Sequence, residues 1–253
     1  MLSAKGFEMA FRYSQLFLEG LITTVSLSAL TVLFGFMLAL VLALMRMSNI
    51  CPFRFLDKPG CGKVVKAISK FNPVSLVANV YVEVFRATPL LVQLFIVYYI
   101  LLADVTLPAF KLFGIISFER MIPGVIALSL NSCAYLSEII RSGIQSIDGG
   151  QTEAARSLGM TQVQNMRYIV LPQAIKNILP AIANEFVTII KESSICWTIG
   201  VQEIMFAVNS VKAATYFIGE PLIIAACVYF CLTFPTSKII AYFERRMSRG
   251  DKR

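Results

Sequence analysis

Histidine is absent from this chain of 253 residues, and charged residues make up only 15% of it. Without histidine the chain can form neither a His-dependent catalytic triad nor a histidine-ligated metal site. It has no G-x-x-x-x-G-K-[ST] motif, so we predict no ATP site and no cofactor of its own. The six cysteines show no C-x-x-C pair and no zinc-like spacing; they are Cys51, Cys61, Cys133, Cys196, Cys227 and Cys231. The absence of these residues and motifs argues against an enzyme.

Apolar residues are abundant. They make up 57% of the chain, and the mean hydropathy is +0.72, which is typical of a membrane protein. The formal net charge of +8 comes from basic residues beside apolar runs. That clustering indicates attraction to anionic lipid on the cytoplasmic side of a membrane and not a nucleic-acid partner.

Five apolar segments are candidates for membrane spans. Because an α-helix rises about 1.5 Å per residue, the first and longest of them is long enough to cross a hydrocarbon core of about 30 Å. The first is longer than the apolar region of a signal peptide and lacks a basic start, so we predict that it is not cleaved. The predicted spans are about 21–45, 84–102, 121–140, 174–190 and 221–243.

The loop between the first two predicted spans sets the expected orientation. Its basic residues are opposed by Asp57 alone; they are Arg46, Arg54, Lys58, Lys63, Lys66 and Lys70. By the positive-inside bias this loop is cytoplasmic, which places the N-terminus outside and, with five spans, the C-terminus inside. A nucleic-acid arm is the alternative, but such arms rarely lie between two spans.

Residues 151–172, here called the EAA segment, form a polar stretch between two apolar ones, QTEAARSLGMTQVQNMRYIVLP. Local signals predict two short helices. Thr152 can N-cap the first, and Gly159 can end it in the left-handed conformation. Thr161 and Gln164 have the spacing of a capping box for the second. Pro172 either breaks that helix or opens the next one.

The EAA segment resembles the cytoplasmic EAA loop of permease subunits in bacterial ABC importers, with a glycine after three residues and I-x-L-P after nine. Three further stretches resemble the polar amino acid subfamily; they are YVEVFRATPLLVQLFIVYY, NSCAYLSEIIRSGIQSIDGGQTEAA and Lys191-Glu192-Ser193-Ser194. The resemblance covers about residues 20–243. The alternative is a surface helical hairpin that contains E-A-A by chance. The loop at 50–70 departs from the family, because it is longer and more basic.

This resemblance implies an all-α, five-span permease domain of type I ABC importer architecture in the bacterial inner membrane. An ATPase dimer would dock on the cytoplasmic coupling loop, 141–173, and an extracytoplasmic binding protein would deliver a polar or charged amino acid. The chain would pair with an identical or similar permease and move substrate by alternating access. The implied ATPase-coupling residues are Glu153, Ala154, Ala155, Gly159, Ile169, Leu171 and Pro172.

Polar side chains inside the predicted spans are candidates for the substrate path, because a charge at the bilayer centre costs about 2.5–3.5 kcal/mol on insertion scales. They are Thr88, Gln93, Asn131, Tyr135, Glu138 and Glu185. Pro89 is a candidate for another reason: it could free a backbone carbonyl toward the path, or it could be a simple kink. Structural alternatives stay open. Glu138 can pair with Arg141 along one helical face, and Glu185 can pair with Lys191. The uncharged polar groups can equally bond to neighbouring helices.

Two other classes of function are weaker. A secondary amino acid transporter would need its own coupling-ion site and commonly shows inverted repeats, and we find neither. A membrane enzyme would need a polar catalytic constellation, for which a chain without histidine offers few candidates.

Overall fold

The structure is a computed structural model that describes residues 2–54, 62, 69–112 and 114–248. Most of the basic loop at 50–70, including Cys61, lies outside the described residues. The helices before the middle of the chain are α1 (Ala4–Phe11), α2 (Ser14–Met47), α3 (Pro73–Ala87) and α4 (Leu90–Ile96). The later helices are α5 (Phe118–Gln145), α6 (Gly149–Ser157), α7 (Gln162–Asn165), α8 (Leu171–Glu192), α9 (Ile204–Thr215) and α10 (Gly219–Ser248).

Short elements connect these helices. A π-helical turn over Val97–Leu101 continues α4, and a second over Met166–Val170 joins α7 to α8. A 3₁₀ helix spans Ser193–Ile199. The strands β1 (Lys111–Leu112) and β2 (Ile116–Ser117) form a small antiparallel hairpin, a detail that the all-α prediction lacked.

Three helices of the described chain are long and apolar enough to cross a membrane: α2, α5 and α10. The pair α3 and α4 is bent by 110° at a short break and would count as a fourth span if it crosses as one unit. Helix α8 contains the predicted fourth span but is not among these helices. The count of five and the orientation therefore stay predictions.

Two apolar clusters define the two ends of the bundle. At one end the second half of α2 and of α5 packs against α3 and the start of α8, and the EAA segment lies between α5 and α8. At the opposite end the start of α2 packs against α1, α9 and the first half of α10. The EAA segment and helix α9 are thus at opposite ends of the molecule.

Helix α9 is fixed at that opposite end by a buried carboxylate. Glu203 is fully buried and N-caps α9, accepting hydrogen bonds from the backbone N–H groups of Met205 and Phe206 at 2.9 Å each. The Tyr229 hydroxyl of α10 donates to the same carboxylate at 2.8 Å. A Cβ on Gly20 of α2 would lie 2.9 Å from the Glu203 carbonyl carbon, so the two backbones are in close contact.

Candidate functional site: a broken helix and a two-helix hairpin

The first predicted path residues lie at the break between α3 and α4. Pro89 cannot donate a backbone hydrogen bond, and the chain turns through 110° around Thr88 and Pro89. The Gln93 side-chain amide donates to the freed carbonyls of Phe85, at 2.9 Å, and Thr88, at 3.1 Å. Asn131 of α5 donates to the Gln93 Oε1 at 2.9 Å. Side chains therefore replace the backbone hydrogen bonds that the break removes.

This geometry bears on the alternatives that the sequence left open. Gln93 and Asn131 are buried, with exposed fractions of 7% and 5%, and their amides bind the broken helix and each other. Thr88 and Pro89 are exposed beside them. Tyr135 is 39% exposed, and the Arg86 guanidinium lies 5.6 Å from its ring centroid. The exposed polar surface at the break is thus formed by Arg86, Thr88 and Tyr135.

Glu138 lies apart from the break in an ion cluster. The predicted pair with Arg141 is confirmed. The structure adds Arg46, whose Nη1 lies 2.5 Å from the Glu138 Oε2 and whose Nε donates to Asn79 at 2.9 Å. The cluster joins the last turn of α2 to the middle of α3 and to the second half of α5. Arg46 was not among our site residues, although it is the first charge after the first apolar run.

Glu185 is the other carboxylate among the candidates and lies in α8. It accepts a hydrogen bond from the Ser132 hydroxyl at 3.1 Å and is half-buried. In the part of the chain that the structure describes, it forms no ion pair with Lys191, so the expected pairing is not found. Ser132 follows Asn131 in α5, so the hydrogen bond joins Glu185 of α8 to the helix that also supports the break.

The EAA segment folds as a two-helix hairpin. Gly159 takes the left-handed conformation, with φ of +81°, and ends α6 as predicted. The Thr161–Gln164 capping box is confirmed. Thr152 is not the N-cap: Asp148 caps α6 through the Gly150 N–H at 2.7 Å. The Thr152 hydroxyl instead accepts a hydrogen bond from Asn165 at 3.1 Å, which ties the two helices together.

The predicted coupling residues lie on different faces of this hairpin. Glu153 and Ala154 are exposed, whereas Ala155 is 1% exposed and packs inside the hairpin. Ile169, Leu171 and Pro172 lie at the joint with α8, where Pro172 opens the helix. Two residues that we did not predict, Leu158 and Val163, flank the Gly159 turn and are 83% and 75% exposed. Their position beside that glycine is the signal that could have identified them.

Comparisons with known proteins agree with this architecture. Residues 62–249 match the family model of the binding-protein-dependent transport system inner membrane component. The chain is 40% identical to the arginine transport system permease protein ArtQ of Bacillus subtilis, over 92% of this chain and 93% of that protein. It is 36% identical to a putative glutamine transport system permease protein, GlnP, of Rickettsia typhi, over 91% and 92% of the two chains.

Solved structures show the same fold. A crystal structure of an amino acid ABC transporter with histidines is 42% identical, with a TM-score of 0.79 over 97% of this chain and all of that one. The methionine ABC transporter MetNI in an inward-facing conformation is 17% identical, with a TM-score of 0.62 over 95% of this chain and 98% of that one, and is evidence for the fold alone. The chain therefore belongs to the family of inner membrane components of binding-protein-dependent transport systems, and so is a transporter subunit and not an enzyme.

Proposed function

We propose that this chain is the permease subunit of an ATP-driven importer for a polar or charged amino acid. Family membership implies an ATPase and a substrate-binding protein as partners. The observation that carries the proposal is the EAA hairpin, which presents exposed Leu158 and Val163 between the two helices that lead into the bundle. A tip with two large apolar side chains at 83% and 75% exposure fits a protein partner better than water.

The substrate class rests on relatives and on one side chain. The relatives named above carry arginine and glutamine transport in their names. Glu185 supports a substrate with an ammonium or guanidinium group, since its carboxylate is held by a hydroxyl and not by a described cation. We propose that Thr88, Pro89 and Tyr135 line the path beside it, and that Gln93 and Asn131 support its wall.

The proposed assembly has five spans, with the N-terminus outside and the C-terminus inside. Helix α10 supports pairing with a second permease, identical or similar, or contact with lipid, because only 11% of its most apolar stretch is buried within the chain. In this orientation the EAA hairpin faces the ATPases. The end of α9 and the start of α10 at Gly219 face the binding protein.

Substitution at the tip of the hairpin tests the coupling role. Leu158→Asp should leave folding unchanged, because the side chain is 83% exposed and makes little contact within the chain. It should abolish ATP-driven uptake of radiolabelled arginine in proteoliposomes and prevent co-purification of the ATPase. Gln151→Asp is the matched control, since it places the same charge on an exposed position of α6 away from the tip.

The same assay separates neighbouring alanines. Ala154→Arg should uncouple transport without unfolding the hairpin, whereas Ala155→Arg should unfold it, because Ala155 is buried. Normal uptake by Leu158→Asp and Ala154→Arg would show that the ATPase docks elsewhere. An introduced thiol at Ala154 that reacts with an impermeant reagent in intact cells would contradict the orientation.

A further inference from the structure

Tyr216 has an unusual backbone conformation. Among the described residues, four have φ in the left-handed region, and three of them are Gly114, Gly159 and Gly200. Tyr216 is the fourth, with φ of +61° at the C-cap of α9, where its N–H donates to the Lys212 carbonyl at 2.9 Å. Glycine is the usual residue at such a cap, because a Cβ is strained there.

The fold gains little from this strain. The Tyr216 side chain is 90% exposed, so its ring packs against almost nothing within the chain. A glycine would form the same cap without the strain. Strained residues persist where a surrounding structure or a function retains them. The contacts of the ring within the chain are therefore too few to explain why a tyrosine occupies this position.

Two further exposed apolar side chains lie near the turn from α9 to α10. Ile218, two residues after Tyr216, is 51% exposed. Leu2 is 57% exposed and lies against the start of α10, because a Cβ on Gly219 would be 2.9 Å from its Cδ2. A cavity of about 360 Å³ is lined by Tyr216 and Ile218 together with Asn209, Lys212 and Ala213. We call Leu2, Tyr216 and Ile218 the Tyr216 patch.

The Tyr216 patch stands on a rigid base. Helix α9 is fixed at its first turn by the Glu203 carboxylate to α10, and by close backbone contact to α2. The start of α10 is held to α1 by Glu220, which accepts from the Ser3 N–H at 2.8 Å. A contact on fixed elements loses little conformational entropy on binding.

We infer that the Tyr216 patch is the docking contact for the extracytoplasmic binding protein, with the Tyr216 ring inserted into an apolar pocket whose acidic rim faces Lys212. The inference rests on the proposed function and its orientation, which place the patch opposite the EAA hairpin. A lipid headgroup layer accepts an aromatic ring at many positions of a loop and does not require a strained one. A single fixed tyrosine matches the aromatic anchors that dominate protein interfaces.

The test uses the complete permease–ATPase complex in nanodiscs. The probe is the purified binding protein, loaded with amino acid, that stimulates ATP hydrolysis by the wild-type complex. Tyr216→Gly should raise the midpoint of thermal unfolding, because it relieves the strain, and leave basal hydrolysis unchanged. It should also raise the binding-protein concentration for half-maximal stimulation roughly tenfold or more. Tyr216→Phe, which keeps the ring, should stay within about twofold of wild type.

Other outcomes would overturn the docking site. If Tyr216→Gly leaves the half-maximal concentration of binding protein unchanged, the patch contacts lipid instead. If the variant converts the complex to a smaller species, the patch contacts a second permease copy. A lower unfolding midpoint would give the ring a role in the fold. If no binding protein stimulates the wild-type complex, the importer assignment itself fails, which the wild-type measurement shows before any variant is made.

Discussion

Replacing Gly143 with alanine tests the contact between the two helices that flank the EAA hairpin. Gly143 lies in the last turn of α5 and faces α8. An added Cβ would be 2.3 Å from the Cγ1 and 3.1 Å from the Cδ1 of Ile178. Carbon atoms do not approach this closely without strain, so either α5 and α8 separate or Ile178 leaves its rotamer.

Two opposing contributions determine how much Gly143→Ala changes the free energy of unfolding. Alanine favours the helix over glycine by about 0.8–1 kcal/mol. Overpacking of a filled contact costs about 1–3 kcal/mol. The net effect of Gly143→Ala is therefore a destabilisation of up to about 2 kcal/mol. In an Ile178→Ala background the clash is gone, and the same substitution should stabilise the protein by up to about 1 kcal/mol.

The assay measures whether the effect of Gly143→Ala on the free energy of unfolding changes sign in the Ile178→Ala background. Thermal unfolding of the four proteins of the double-mutant cycle, in nanodiscs, should give a coupling energy of about 1–3 kcal/mol between positions 143 and 178. ATP-driven uptake should fall in Gly143→Ala relative to ATP hydrolysis, because the substitution shifts α5 against α8 at the base of the hairpin. Equal stabilisation by alanine in both backgrounds would show that the two helices do not meet at this glycine.

Two further substitutions test the polar clusters. Gln93→Leu should destabilise the protein by about 1–3 kcal/mol in thermal unfolding, since the buried Asn131 amide loses its acceptor and the Phe85 carbonyl keeps only the 3.4 Å bond from Asn131. An unchanged midpoint with a raised KM for uptake would instead make Gln93 a substrate ligand. Glu138→Gln should cost about 1–4 kcal/mol, between the values for exposed and buried pairs, because Arg46 is only 10% exposed. Arg141→Gln, with the more exposed cation at 31%, should cost less, and equal costs would refute this ranking.

Local signals predicted the EAA hairpin well. The capping box and the left-handed Gly159 each depend on residues within four positions of one another. The prediction of Thr152 as an N-cap was wrong because Asp148 is also a good cap, and because Asn165, thirteen residues away, binds the Thr152 hydroxyl. Competition between two capping residues is decided by tertiary contacts, which a local pattern does not contain.

The candidate substrate path shows the same difference between local contacts, which were predictable, and long-range contacts, which were not. The pair Glu138–Arg141 is three residues apart and was predictable, whereas Arg46 joins it from a position 92 residues away. The bond between Gln93 and Asn131 likewise joins residues 38 positions apart. Tyr216 had no signal in the sequence, since Gly219 is the residue that a pattern would place at the end of α9.

The hydrogen bonds at the break between α3 and α4 determine where motion can occur. The carbonyls of Phe85 and Thr88 are bonded to Gln93, and Gln93 is bonded to Asn131, so straightening the break would disrupt these bonds, at a cost of about 1–3 kcal/mol for each buried group left without a partner. We therefore expect the break to persist as a rigid part of the wall throughout transport. Motion that starts at the EAA hairpin then passes through α5 and α8, whose close contact at Gly143 leaves no space for sliding without repacking. Such a contact transmits displacement as a shift between two packed states, which is the behaviour that alternating access requires.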